Sequence, residues 1–274
     1  MIQYLRKIFS VIQGRIDGYR GIIRADLFVS VNADSADGSK IGGCPIAHFL
    51  AKHNLRTFSS PFDWLMNVHL SDVAHLLQNN GEGFFATIKE IQNDNTSLKR
   101  EIQDIATSII APHHFPRSIS IDEYYPIFIK KHRERFARLM QKLKKSKRIV
   151  FVSRRDTDIG EFENFLGEMQ KIHRAEYIFV NIRHNANLAD MEKHIINGGG
   201  GNRIVEYCFD NTCPKGDSHP DAWLGNPKYW DKIMRDFRLP FSVVFANFWV
   251  RKSDKFKRSL IKRKNTILSI LRLR

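Results

Sequence analysis

The chain has 274 residues, 42% of them hydrophobic and 20 of them Phe, which is enough to bury a core as one large domain or two small ones. Its 44 Lys and Arg exceed its 29 Asp and Glu, and the net charge of +15 indicates a polyanionic neighbour. The three Cys exclude a disulfide framework and favour a reducing compartment. Cys208 and Cys213 lack the second pair that a zinc site needs, so we predict no metal and no cofactor.

Both ends of the chain are basic and amphipathic. Residues 2–17 align apolar side chains on one helical face, and residues 251–274 interleave ten Lys or Arg with Leu and Ile. Such helices bind anionic membrane surfaces, although an N-terminal helix packed on the core would show the same periodicity. We therefore predict three parts: a basic N-terminal helix (1–24), an α/β domain of catalytic type (25–240) and a basic C-terminal tail (241–274).

The lengths of the hydrophobic runs predict where the protein is located. No run approaches the ~20 apolar residues of a membrane span, and the segment from Met1 to Phe9 is too short and too charged for a signal peptide. We expect a cytoplasmic protein that is peripheral on the inner membrane. Its partner is then an anionic membrane surface or an anionic glycan or lipid-linked substrate. Nucleic acid is less favoured, because no known module signature accompanies the charge.

The stretch from Asp26 to Trp64 has the pattern of a strand, a loop and a helix. The run Leu27–Val31 is β-branched and aromatic, and a glycine-rich loop then leads to Cys44 and an amphipathic segment. Pro45 suits the first helical position, where its missing N–H costs nothing. A thiolate at Cys44 would be stabilised by the unpaired N–H groups and the positive end of the helix dipole.

Beyond this stretch, strands alternate with helices. The long helix Asp122–Lys147 carries many Lys and Arg, most of which we interpret as a solvated face. The alternation predicts an α/β fold with a Rossmann-like, mostly parallel sheet and crossover helices, plus helical basic N- and C-terminal extensions. The predicted strands are Arg148–Ser153, Tyr177–Ile182 and Arg203–Tyr207, and the further predicted helices are Gly160–Ile172, Asn187–Ile196, Tyr229–Phe237 and the segment from Glu82 to Ile91.

Three groups of polar or aromatic residues are candidates for substrate contact. His113 and His114 lie between prolines in an extended segment, where one of them can serve as a base or as a structural group. Arg154 and Arg155 follow a strand, and ligands of parallel sheets gather beyond the carboxyl ends of the strands. Trp223 lies in a polar loop that either lines a glycan or acyl pocket or packs against its own aromatics.

Seven short motifs lie along the chain at a family-like spacing. They are Val29-Ser30-Val31 to Cys44, Leu55-Arg56, Phe62-Asp63-Trp64, Pro112 to Pro116, Arg133 to Phe136, Lys147 to Val152, and Trp223 to Trp230. These motifs resemble those of a bacterial family of unknown function described as papain-like cysteine peptidases, and the resemblance covers about residues 25 to 240. Two features differ from the family pattern: the loop between Ser30 and Cys44 is longer, and His114 stands where members often carry Asp.

The resemblance implies that Cys44 is the nucleophile, His113 the base and Asp63 the carboxylate that orients it. Asp63 and Trp64 also fit a structural turn, and that alternative stays open. The predicted activity is hydrolysis or group transfer at the membrane face, on a substrate of surface polysaccharide or lipid-linked glycan assembly. The alternatives are a glycan-modifying transferase with a phosphate or nucleotide-sugar site, and a non-catalytic membrane or nucleic-acid-binding protein. We expect substrate contacts from His114, Arg56, Trp64, Arg154, Arg155 and Trp223.

Overall fold

A computed structural model describes residues 21–33, 44–91 and 98–245 of the chain. The predicted amphipathic segments 2–17 and 251–274 lie outside the described residues. The chain divides into two units, residues 1–238 and 239–274, and the second is described only to residue 245. The three-part division predicted above stays a prediction.

The first unit contains the sheets and the long helices. Short 3-10 turns cover Gly199–Gly201 and Ala222–Leu224. The helices and strands are, in chain order, β1 (Ile23–Arg24), β2 (Leu27–Ala33), α1 (Cys44–Lys52), α2 (Leu70–Gln78), β3 (Ile88–Ile91), β4 (Lys99–Asp104), β5 (Ile110–Pro116), α3 (Ile121–Lys145), β6 (Arg148–Arg154), α4 (Ile159–Ile172), β7 (Glu176–His184), β8 (Glu192–Asn197), β9 (Arg203–Phe209), α5 (Pro227–Met234) and β10 (Phe237–Arg238).

The largest sheet has the strand order β2-β6-β7-β9-β8. The first four strands are parallel and β8 is an antiparallel edge strand. The mixed α/β class and the mostly parallel sheet are therefore confirmed. Within the described sheet the parallel strands follow one another in chain order, without the reversal that marks a doubly wound fold, and the Rossmann-like assignment stays a prediction. Strands β3, β4 and β5 form a separate antiparallel sheet, and β1 pairs with β10.

Strand β2 of the main sheet carries apolar side chains on both of its faces. Leu27, Val29 and Val31 of β2 belong to one hydrophobic cluster with side chains of α2, α3 and α4. The intervening Phe28 instead contacts the Phe237 ring at 5.6 Å, in the strand that follows α5. Both faces of β2 are buried, as is typical of a strand in a parallel sheet.

Two predicted helices are wrong. Residues 82–91 form a turn followed by β3, and part of the segment 187–196 forms β8. Each of these strands lies at the edge of its sheet and is defined by pairing with a neighbour, β4 or β9. Their apolar spacing imitates a helical period, and the cross-strand hydrogen bonds override that local signal.

The long helix α3 is confirmed and contributes a buried histidine. Ser120 caps its first turn by accepting a hydrogen bond from the Glu123 N–H at 3.2 Å. His132 lies in the apolar stripe, with its ring centroid 4.3 Å from that of Phe128 and 5.5 Å from that of His114 on β5. Burial, and next the Arg135 charge, lower the pKa of His132 to about 2 and that of His114 to about 3.

We predict that this histidine pair makes the fold acid-sensitive. An unfolded histidine has a pKa near 6.5, so the unfolded chain binds protons below that pH that the folded chain does not. The contribution of the neutral histidines to the free energy of unfolding is fully present above pH 6.5. It falls by about 1.4 kcal/mol per pH unit for each histidine as the pH is lowered towards 3. Urea unfolding of wild type and His132→Phe between about pH 7 and 4 measures this slope.

In the His132→Phe variant the free energy of unfolding should depend less steeply on pH than in wild type, by about the contribution of one histidine. A His75→Phe variant is the control, because His75 lies exposed on α2. Equal slopes in all three proteins would contradict the prediction.

Candidate active site

Cys44 is the first residue of α1, as the sequence predicts, and Pro45 follows it inside the helix. The helix packs on β2 and β6 and also contacts α5 and the 3-10 turn Ala222–Leu224. The first N–H groups of a helix have no partner within the helix and carry its positive partial charge. The backbone therefore places Cys44 among these N–H groups, and its predicted role as a nucleophile stays a prediction.

One turn further along α1, His48 begins a group of three rings. The His48 ring centroid lies 5.5 Å from that of Trp223 in an edge-to-face contact, and Trp223 lies 6.2 Å from Trp64. Trp223 is 36% exposed, and His48 and Trp64 are half-buried. We call His48, Trp64 and Trp223 the aromatic group. The structure thus brings together two predicted substrate-contact residues, Trp64 and Trp223, beside the helix that begins at Cys44.

His48 was missed by the sequence analysis, although its position carries a signal. Helical residues four positions apart lie on the same face, about 5–6 Å apart between Cβ atoms. Cys44 and His48 have this spacing. Burial, and then Lys52, lower the pKa of His48, while Asp231 and Asp221 act in the opposite direction. The neutral imidazole, the form that accepts a proton, is therefore favoured at neutral pH.

Asp63 is only 1% exposed and is bound by Arg56. Its Oδ2 accepts hydrogen bonds from Arg56 Nη2, from Arg56 Nε at 3.1 Å and from the Ser60 N–H at 2.8 Å. Burial raises the pKa of Asp63, and Arg56 is the largest opposing influence. This ion pair closes the turn that carries Trp64, whose φ is +67°. The roles predicted for Asp63 as an orienting carboxylate and for Arg56 as a substrate contact stay predictions.

His113 and His114 lie on β5, in the three-stranded sheet. Successive strand residues point to opposite faces, and here His113 is exposed while His114 packs against α3. Burial lowers the pKa of His113, opposed by Glu101 on the neighbouring strand β4. The contacts found for these histidines among the described residues lie within the three-stranded sheet and against α3, and their predicted roles as base and substrate contact stay predictions.

Arg154 is the last residue of β6 and Arg155 follows it, and both are buried. The Arg155 Nε donates to Ser153 Oγ at 2.7 Å, and its Nη2 donates to the Val31 carbonyl at 3.1 Å. These bonds join the carboxyl ends of β6 and β2, the edge of the sheet from which the chain leaves for Cys44. The predicted phosphate contact by Arg154 and Arg155 stays a prediction.

A polar network extends along the same edge of the sheet, and the sequence analysis missed it. Asn181 Nδ2 donates to the Arg155 carbonyl at 3.0 Å and to Glu206 Oε1 at 2.9 Å. Arg183 Nε lies 3.3 Å from Glu206 Oε1 and Arg183 Nη1 lies 3.5 Å from Asp156 Oδ1. All of these residues lie at or near the carboxyl ends of β6, β7 and β9, a position that parallel pairing identifies once the sheet is known.

Metal ligands and membrane spans were sought in the part of the chain that the structure describes. No three His, Cys, Asp or Glu side chains converge there as a metal site. Cys208 and Cys213 are buried free thiols. None of the helices in that part is both long and apolar enough to cross a membrane.

Comparison with known proteins gives one match. The model of a family described as "Putative papain-like cysteine peptidase (DUF1796)" matches residues 39–176, just over half of the chain. The matched range includes Cys44, His48, Asp63 and His113, and ends before Trp223. Neither the curated proteins nor the solved structures include a significant match.

We predict that Arg56→Ala destabilises the fold by about 3 kcal/mol at pH 7, because it leaves a buried carboxylate without its partner. Without Arg56 the pKa of Asp63 rises further, so the carboxyl takes up a proton more readily as the pH falls. The loss relative to wild type should therefore shrink at acid pH. Chemical unfolding at several pH values measures it.

Lys52→Ala provides the matched control, since it removes an exposed ion pair, Lys52 to Asp231 at 2.7 Å. That pair should contribute less than about 1 kcal/mol. Equal losses in the two variants, or an Arg56→Ala loss that does not depend on pH, would contradict a structural ion pair.

Proposed function

The chain belongs to the DUF1796 family matched above, and we propose that it is a cysteine-dependent hydrolase or group transferase with Cys44 as its nucleophile. The observation that carries this proposal is the position of Cys44 as the first residue of α1. The first turn of a helix favours an anion, and α1 follows the carboxyl end of β2, the edge of the sheet where ligands gather in parallel sheets.

His48 is the base that the geometry favours. It lies on the same helical face as Cys44, one turn away, and burial keeps its imidazole neutral. His113, the base that the family resemblance implies, lies on another sheet and is influenced chiefly by burial and by Glu101 and Lys99 of β4. If His48 is the base, its removal should change the reactivity of Cys44, whereas removal of His113 should not.

The reaction divides into two steps of ordinary thiol chemistry. The imidazole accepts the thiol proton, and the sulfur attacks the carbonyl carbon of the substrate to form a thioester as the bond to the leaving group breaks. The leaving group takes the proton from the imidazolium. Water then attacks the thioester in a hydrolase, or a hydroxyl or amine of an acceptor attacks it in a transferase, and Cys44 is regenerated.

The aromatic group, whose His48 lies one turn along α1 from Cys44, supports a substrate with an apolar face. Trp223 exposes a third of its surface, and Trp64 and His48 flank it. Indole faces of this kind suit the apolar face of a sugar ring or an acyl chain. With the net charge of +15, this supports an anionic glycan or lipid-linked substrate at the cytoplasmic membrane face, as in surface glycan assembly.

A transferase that grips a phosphate with Arg154 and Arg155 is the alternative enzyme. In that mechanism Arg155 would have to release Ser153 and Val31, and the junction of β6 with β2 would lose those bonds. The second alternative is a non-catalytic protein that binds a membrane or nucleic acid, and the excess of positive charge would be enough for that function. The cysteine chemistry distinguishes the first proposal from both.

We predict that Cys44 reacts with iodoacetamide well below the free-cysteine pKa of about 8.5. The measurement is the alkylation rate against pH, read by mass spectrometry so that Cys208 and Cys213 are scored separately. His48→Ala should shift the Cys44 profile towards that of a free thiol, because it removes the base. His113→Ala should leave the profile close to that of wild type.

His75→Ala, an exposed histidine on α2, is the control for histidine loss in general. If the alkylation profile of Cys44 shifts in His113→Ala but not in His48→Ala, the base is His113 on β5. A slow reaction with an ordinary or raised pKa in all four proteins would overturn the cysteine-enzyme proposal.

A further inference from the structure

The outward face of α3 is a strip of positive charge. Between residues 124 and 147 the only acidic residue is Glu134. At 1.5 Å per residue the strip from position 127 to position 145 is roughly 27 Å long. The exposed basic residues of this segment are Lys130, Lys131, Arg133, Arg138, Lys144, Lys145 and Lys147.

The exposed cations of this segment have no ion-pair partner among the described residues. The ion pairs found there engage cations in other parts of the fold, such as Lys52, Arg100 and Arg148. Glu134 is also absent from those pairs. Charges on one helix face repel one another, and a solvated helix face ordinarily relieves this repulsion by mixing in carboxylates.

The strip is centred on one side of the helix. At 100° per residue, Lys130, Lys131, Arg138 and Lys145 fall within about 100° of one another. Ile127 and the exposed Glu134 both lie near the middle of that arc, so four cations and one carboxylate share this face and it keeps a net positive charge. Ile127 is 55% exposed, whereas the Phe, Leu and Met residues of α3 are buried. The outward face therefore combines clustered cations with an exposed aliphatic side chain.

We propose that this face of α3 docks on an anionic phospholipid surface. Clusters of four to eight Lys or Arg on an amphipathic helix are typical of binding to acidic headgroups. Phe128 and Phe136, the Phe residues of α3, are buried and offer no stacking platform for bases. The exposed Ile127 gains nothing from a nucleic-acid backbone, whereas it can enter the boundary between headgroups and acyl chains.

This surface is distinct from the aromatic group and does not depend on the chemistry of Cys44. It also differs from the terminal segments 2–17 and 251–274, whose membrane binding is predicted from sequence alone. The two contributions can be separated, because substitutions on α3 leave both ends of the chain unchanged.

The test is sedimentation of the full chain with vesicles of phosphatidylcholine containing about 30% phosphatidylserine, against vesicles of phosphatidylcholine alone. The test variant combines Lys130→Glu, Lys131→Glu, Arg138→Glu and Lys145→Glu. It should bind acidic vesicles at least about tenfold more weakly than wild type, since each basic residue near the surface contributes. Added salt should weaken wild-type binding.

The control variant reverses the same number of charges away from α3, at Lys89, Lys215, Lys228 and Lys232, all of which are exposed. It should bind within about twofold of wild type, because its charges are not on the docking face. Circular dichroism and the Cys44 alkylation profile, measured on both variants, show that each is folded and that the candidate active site is unchanged.

Equal binding by both variants would overturn the proposal and assign membrane binding to the ends of the chain. The proposal would also be overturned if the wild-type protein does not sediment with acidic vesicles. A random-sequence duplex DNA is titrated in parallel: if the α3 variant loses DNA binding and keeps vesicle binding, the strip is a nucleic-acid surface instead.

Discussion

The candidate site depends on how the carboxyl end of β2 is held, because the chain leaves β2 to reach Cys44. On one side β2 pairs with β6, and Arg155 donates to the Val31 carbonyl. On the other side the segment 60–65 is bound to it: Ser60 Oγ donates to the Ser30 carbonyl and Asn32 Nδ2 to the Leu65 carbonyl. The Arg56–Asp63 ion pair closes that segment, so one buried carboxylate supports both β2 and the turn that carries Trp64.

The histidines illustrate how burial selects among similar residues. His114 and His132 lie in the apolar cluster beside α3, where protonation is strongly disfavoured, and they act in packing. His48 is half-buried at the surface of α1, near Lys52, Asp231 and Asp221. A partly desolvated imidazole with carboxylates nearby remains able to exchange a proton, which the deeper pair can do only by losing stability.

Local sequence predicted the elements whose signal is strong within their own length. Cys44 and Pro45 mark a helix start, and the continuous apolar runs of β6 and β7 are typical of strands buried on both faces. The edge strand β8 was predicted as a helix because its residues are exposed and its conformation comes from pairing with β9. A single histidine in an amphipathic helix carries little signal of its own, and the importance of His48 comes from its contact with Trp223, which is distant in sequence.

By itself the sequence determined the α/β class, the position of Cys44 at a helix start, the family resemblance and the excess of positive charge, since each depends on residue type and short-range spacing. Only the tertiary structure decided which side chains meet. In the structure Trp64 and Trp223 lie together beside α1, Asp63 forms an ion pair with Arg56, and Arg155 donates a hydrogen bond to β2. Those contacts join residues that are seven to more than a hundred positions apart, and they depend on strand order and burial, which local patterns do not encode.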